Sequence, residues 1–186
     1  IKHTFVLSLG GNNLTNDIAI GLRAPLAEAE KIKTRYGTCS SSSINNEETI
    51  EVPGMGGREP KKLPRQILGE ILEPRMEEIF TLVQREIYRA GMENMINSGM
   101  VMTGGTALLE GIGDIAESIF NLPVRIGKPS GISGLVDVVN NPMYATGVGL
   151  VMYGVRNQVT KKFRIRDKHI FNGVMSQMRK WFKDVI

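Results

Sequence analysis

The chain has 186 residues, a net charge of +4 and an apolar share ordinary for a globular protein, enough for one good core or two small ones. No run approaches the roughly 20 apolar residues that cross a bilayer, and residues 1–9 lack the charged-then-apolar layout of a secretion signal. One cysteine, Cys39, excludes a disulfide framework or a cysteine zinc site and fits a reducing compartment, while His3 and His169 lie far apart with no evident ligand partners for a metal.

In chain order, residues 4–9 are rich in β-branched and aromatic types and stop at Gly10 and Gly11, which predicts a strand. Asn13 or Thr15 would cap the next helix, with Asp17 in its first turn and Leu14, Ile18 and Leu22 on one face. Pro25 suits the first position of a second helix, which runs to Tyr36 and stops at Gly37. Two β segments, residues 38–44 and 49–52, flank the turn-like Asn45 and Asn46, and residues 53–60 read as a loop. Ile67, Ile71, Ile79, Leu82, Val83 and Ile87 predict a long helix over residues 63–89, kinked or split at Pro74.

Residues 99–102 predict a short apolar strand that ends at Gly104 and Gly105, with a helix over residues 112–121 beyond. Backbone leaving a strand through two glycines can bring its N–H groups close to an anion, and a following helix adds the positive end of its dipole. A glycine pair alone equally marks a tight turn. Residues 123–127 predict another strand, residues 130–134 a loop, and residues 143–153 a helix in which Ala145, Gly147 and Gly149 imply another backbone packed closely. Strands alternating with helices argue an α/β fold.

The C-terminus has its own character. Lys161, Lys162, Arg164, Arg166 and Lys168 stand against a single Asp167, a charge asymmetry that suits an anionic partner, membrane or nucleic acid. Stepping residues 170–186 at about 100° each places Ile170, Phe171, Val174, Met175, Met178, Trp181, Phe182, Val185 and Ile186 on one arc. Arg179, Lys180 and Lys183 lie on the opposite face with the polar residues. A helix that is bulky and apolar on one side and basic on the other suits a lipid surface rather than nucleic acid, with Trp181 and Phe182 at the headgroup boundary. The alternative is a terminal helix docked on its own domain.

Several segments together resemble the FtsA family, actin-like proteins of bacterial cell division that tie a tubulin-like ring to the membrane. They are Leu9-Gly10-Gly11 with residues 15–19, residues 28–33 through Tyr36-Gly37, and Glu51-Val52-Pro53 with Gly56-Gly57-Arg58 and Pro60. Glu73-Pro74-Arg75, Thr103-Gly104-Gly105 with Leu109-Glu110-Gly111, and Asn141-Pro142 with residues 145–150 complete the set. The resemblance runs along essentially the whole chain, including the tail. The family's first half, with its first phosphate loop, its usual catalytic acid and its extra subdomain, has no counterpart in this chain.

The resemblance implies the second half of an actin-like (ribonuclease H-like) ATPase fold of α/β class. Residues 1–23 and 98–154 would form a larger subdomain and residues 24–97 a smaller inserted one. Residues 155–168 would be a flexible basic linker, followed by a membrane-targeting amphipathic helix over residues 169–186. It implies binding of ATP with Mg²⁺: Gly10 and Gly11 at the turn after the second phosphate hairpin, Glu30 and Lys33 on ribose or adenine, and Gly104, Gly105 and Leu108 closing over the nucleoside. Glu30 and Lys33 do share a helical face, although such a pair is commonly just a solvated ion pair. No general base with a phosphate-positioning partner is evident, so independent ATP hydrolysis is not expected.

The implied partners are the acidic, apolar C-terminal peptide of FtsZ, anionic lipids, and further copies of the protein in a filament, with no nucleic acid. The implied place is the cytoplasmic face of the inner membrane at the division septum, where such a protein helps assemble the divisome. Arg85 and Arg89, four apart on the long helix, would share a face for the peptide. The actin-like platform protein of type IV pilus assembly, or a sugar kinase or chaperone-type ATPase of the same superfamily, stands as the alternative. A kinase would need a phosphoacceptor site with a catalytic Asp, and neither enzyme needs a C-terminal anchor.

Overall fold

Leu14, Ile18 and Leu22, spaced for one helical face, are what α1 (Gly11–Leu22) buries. In a computed structural model, which describes residues 1–41, 44–45, 47–54, 59–132 and 136–160, residues 1–148 form one unit and those from Gly149 onward a second. In the first unit α1 lies against α2 (Leu26–Tyr36) and α3 (Gln66–Arg89), and α3 lies against α4 (Ile112–Phe120). The core between them gathers Ile32 of α2, Leu68, Leu72, Met76 and Phe80 of α3, and Ile112 and Ala116 of α4. Each large side chain removed from water this way contributes about 1.5–3 kcal/mol. At one edge the Phe80 and Phe120 rings meet tilted, with centroids 5.5 Å apart.

α1 begins two residues before Asn13. Gly10 is its extended N-cap, and Asn13 holds the turn from inside: its N–H donates to Gly10 O at 2.9 Å while its Oδ1 accepts from Gly10 N–H at 3.0 Å. Asn13 and Thr15, expected as caps, are therefore both inside the helix. α2 starts one residue after Pro25 and ends at Gly37, close to expectation.

Residues 4–9 are not a strand. A strand exists only with a hydrogen-bonded neighbour, and among the described residues none pairs with them, so Phe5 and Val6 stay exposed. β1 (Thr49–Val52) pairs antiparallel with β2 (Lys61–Pro64), setting Ile50 opposite Leu63 and Glu51 opposite Lys62. β2 is absent from the sequence reading because two lysines and a terminal proline hide its single inward Leu63. Of the strand expected over residues 38–44, Ser42 and Ser43 lie outside the described residues, and among the rest only Thr38 makes a bridge, to Glu110.

α3 passes through Pro74 as one helix of 24 residues instead of splitting. Contacts on both sides of the proline brace it. Glu73 Oε2 accepts from Ser41 N–H at 3.2 Å and Oγ at 2.7 Å, and the Arg75 guanidinium pairs with both Asp17 oxygens at 2.6 and 3.1 Å. β3 (Met100–Met102) and β4 (Val124–Ile126) form a parallel pair joined through α4, with Val101 opposite Arg125. α5 (Val136–Val139), which the sequence reading leaves out, follows in a segment too short for a clear period. α6 (Ala145–Thr160) extends seven residues past the expected end at Tyr153 and supplies the described part of the second unit. An added Cβ at Gly147 would meet nothing within 4 Å, so the close backbone inferred there is not found among the described residues. Among these residues no helix is long and apolar enough to cross a membrane. The basic stretch from Lys161 and the amphipathic segment with Trp181 lie outside them.

Candidate functional site

A cleft of about 660 Å³ opens in the first unit, within the range usual for small-molecule sites. Residues 7–13, α2 and the turn after β3 make its walls. Of the seven residues expected at the nucleotide, Gly10, Gly11, Glu30, Lys33, Gly105 and Leu108 line it. Gly104 does not. Its φ of +101° is what requires glycine there, and its N–H donates to Pro142 O at 3.1 Å, holding the turn in place. Asn12, Asn13, Thr34, Thr106, Leu109 and Met143 join the lining without having been among the expected contact residues. Met143 had no signal in the sequence. It arrives because the one proton of Thr103 Oγ1 is shared between Gly127 O at 2.9 Å and Pro142 O at 3.3 Å, drawing two distant segments together.

The glycines divide by physical need. A Cβ on Gly11 would meet Thr106 Oγ1 at 2.8 Å, so this glycine permits the close approach of α1 to the turn at residues 105–108. At Gly10 a Cβ would meet nothing within 4 Å, and at Gly105 only Met143 Cβ at 3.9 Å, and neither has a left-handed backbone. The fold does not need glycine at either position, yet both face the cleft.

The helix end at the cleft is also different from the expected one. Beyond Gly104 comes a 3₁₀ turn (Gly105–Leu108) and then the Thr38–Glu110 bridge, so α4 starts away from the cleft. Residues 10–13 at the start of α1 line it instead, and the positive end of the α1 dipole there favours an anion.

Lys33 is only 8% exposed, not the solvated partner of a surface ion pair. Its three N–H donors are all used: on Gly11 O at 2.9 Å, Thr15 Oγ1 at 2.7 Å and Glu30 Oε2 at 2.7 Å. Thr15 also reaches Glu30 Oε2 in a short contact, and Gly11 O at 3.0 Å. Partial burial acts to raise the Glu30 carboxyl, but Lys33 and Thr15 outweigh it and hold the group below its ordinary value of 4.5. Glu30 is the one carboxylate among the described lining residues.

Arg85 and Arg89 lie near the C-terminal end of α3, both exposed, with Arg89 Nη1 3.5 Å from Glu86 Oε2. They are not among the residues that line the cleft. Ile170, Phe171, Val174, Met178, Arg179, Lys180, Trp181, Phe182, Lys183 and Val185 lie outside the described residues. A second, smaller hollow near Cys39, Glu73, Glu77 and Asp114 presents acidic groups, yet no described cluster has the arrangement of a metal site.

The solved structures of MreB5 from Spiroplasma citri bound to AMPPNP and to ADP superpose with TM-scores of 0.60 and 0.58. Both are 19% identical to this chain, cover 83% of it, and are themselves covered for 46% and 47% of their length. The chain therefore has an actin-like fold, matched along about half the length of each of those chains. Cell division protein FtsA of Pseudomonas aeruginosa is 51% identical over 158 residues, 85% of this chain and 38% of that protein. The FtsA of Escherichia coli K12 is 36% identical over 190 residues, 98% of this chain and 44% of that one. The chain thus spans about two-fifths of the length of these curated relatives. With the family described as Cell division protein FtsA matching residues 1–149, the chain belongs to the FtsA family of cell-division proteins.

Proposed function

We propose that this chain supplies the nucleoside-closing part of an ATP-binding, actin-like adaptor that anchors the FtsZ ring to the cytoplasmic face of the bacterial inner membrane at the septum and helps assemble the divisome. The observation that carries the ATP reading is the pair Gly10 and Gly105. Both open into the cleft, and neither packing nor backbone angle accounts for either. Space kept clear of a Cβ beside a helix start suits a phosphate or sugar approaching the backbone. The fold relatives bound to AMPPNP and ADP point the same way. Mg²⁺ would ride on phosphate oxygens and water, since the described lining offers only Glu30 as a carboxylate and its Oε2 is engaged.

In this reading residues 1–23 and 98–154 act as one subdomain and residues 24–97 as the other, the cleft lying where they meet. Arg85 and Arg89 take an acidic FtsZ peptide, the protein self-associates into filaments, and residues 169–186 hold it to anionic lipid.

The test of the cleft uses full-length protein. Gly105→Ala should fold normally, because its Cβ meets only ordinary contact. Gly105→Val should lower ATP affinity by about tenfold or more, as a branched side chain fills the approach path. Undiminished ATP affinity in a folded Gly105→Val protein would remove the cleft as the nucleotide site.

A further inference from the structure

Gly37, just past the end of α2, and Leu109, at the end of the turn after β3, both line the cleft. A Cβ on Gly37 would meet Leu109 Cδ2 at 2.7 Å, so two walls of the cleft touch here with no room to spare. Arg65, in the step from β2 to α3, lines no part of the cleft and is 17% exposed on its side chain. It nevertheless grips the residue beside each wall. Its Nε donates to Tyr36 O at 3.0 Å and its Nη2 to Glu110 Oε2 in a short contact. The third arm, Nη1, donates to Glu48 Oε2 at 2.8 Å, and Glu48 neighbours no cleft residue.

We propose that Arg65 is a positioning residue of the nucleotide cleft: one guanidinium fastens the end of α2 to the turn after β3 and so holds Gly37 against Leu109. This rests on the ATP reading and adds what keeps the cleft closed. Backbone bonds already tie Glu110 across the seam, to Thr38 in a bridge and to Cys39, whose N–H donates to Glu110 O at 2.7 Å. They do not reach Tyr36, whose carbonyl, on the last residue of α2, has no helical N–H to accept. A planar guanidinium serves a carbonyl and a carboxylate at fixed angles, which a lysine ammonium on its flexible stem does not. The backbone of Arg65 is set as well, its N–H donating to Glu48 O at 2.8 Å.

ATP binding to full-length protein, measured as affinity and dissociation rate, tests this with a matched pair of carboxylates. Glu48 and Glu110 pair with the same guanidinium and are similarly exposed, 48% and 55% on their side chains, so losing either costs the fold little and about equally. Only Glu110 adjoins a cleft residue. Glu110→Ala should weaken ATP about two- to fivefold, the scale of one partly exposed ion pair, and through faster dissociation. Glu48→Ala should bind ATP like wild type, with the same small drop in melting temperature. Arg65→Gln should weaken ATP more than Glu110→Ala does, and Arg65→Lys, which keeps the charge without the fork, should not restore it. Unchanged affinity and dissociation in Glu110→Ala and Arg65→Gln would overturn the proposal even though ATP binds. Equal losses of ATP affinity in Glu48→Ala and Glu110→Ala would overturn it too, since they would mark both ion pairs as supports of the fold alone. Wild-type protein that binds no ATP would overturn the nucleotide reading first, and this inference with it.

Discussion

Cys39 has no exposed surface, and burial, helped by the Glu73 carboxylate, pushes its thiol up to about 12. Only the thiolate attacks an electrophile, so near neutral pH almost none of this residue is reactive. Alkylation followed by mass spectrometry should show Cys39 unmodified in native protein and rapidly modified once denaturant unfolds it. Fast native labelling would mean the core opens at residues 38–41. The same shift has a sign for stability. A thiol kept neutral favours the fold fully below its ordinary value of 9.0, and that contribution is lost as pH rises toward 12. At this scale Lys33 is the instructive case. Its spacing from Glu30 marks it as the partner of a carboxylate, but only the tertiary structure shows that it is 8% exposed and also bonded to Gly11 O and Thr15 Oγ1.

Among the elements, α3 bears most weight. It spans the core with Leu68, Leu72, Met76 and Phe80, and it leaves Arg85 and Arg89 in solvent on its last turns. The hydrophobic period survives Pro74 because the residues that brace it, Glu73 and Arg75, are adjacent in sequence while their partners, Ser41 and Asp17, are not. Arg89 holds Glu86 loosely and is 80% exposed on its side chain, which leaves it free to meet an acidic peptide. Arg89→Glu should weaken capture of an FtsZ C-terminal peptide by full-length protein, and more at low salt, where charge contacts count most. Fluorescence anisotropy with labelled peptide over a salt series checks it. Equal affinity at every salt concentration would place the peptide elsewhere. As the exchange is on the exposed face, the melting temperature should hardly move.

For the whole molecule, the decisive question is where the C-terminal segment goes. Deleting residues 169–186, or changing Trp181 to Glu, should release the protein from anionic vesicles and leave the rest folded. Each inserted apolar side chain contributes about 1.5–3 kcal/mol and each basic residue near anionic lipid about 1 kcal/mol. A carboxylate among these apolar side chains would have to be desolvated or would keep the segment from inserting. Flotation of wild type and variant, repeated at high salt, measures both contributions. Equal flotation would mean that the segment docks on protein instead of lipid.

What the sequence determined by itself was everything with a local period or a local motif. Leu14, Ile18 and Leu22 drew α1, the apolar repeat drew α3, and the ordered glycine and acidic motifs pointed to the family. Such signals survive without tertiary structure because neighbours three and four apart in a helix meet wherever the helix goes. Pairing and space are different, since each depends on atoms far along the chain. Residues 4–9 look like a strand yet find no ladder among the described residues, while β2, which hardly looks like one, is held by β1. Gly11, Gly104 and Gly105 read alike in the sequence. Tertiary structure decided that Gly11 makes room for Thr106, that Gly104 turns the backbone, and that Gly105 leaves the cleft open.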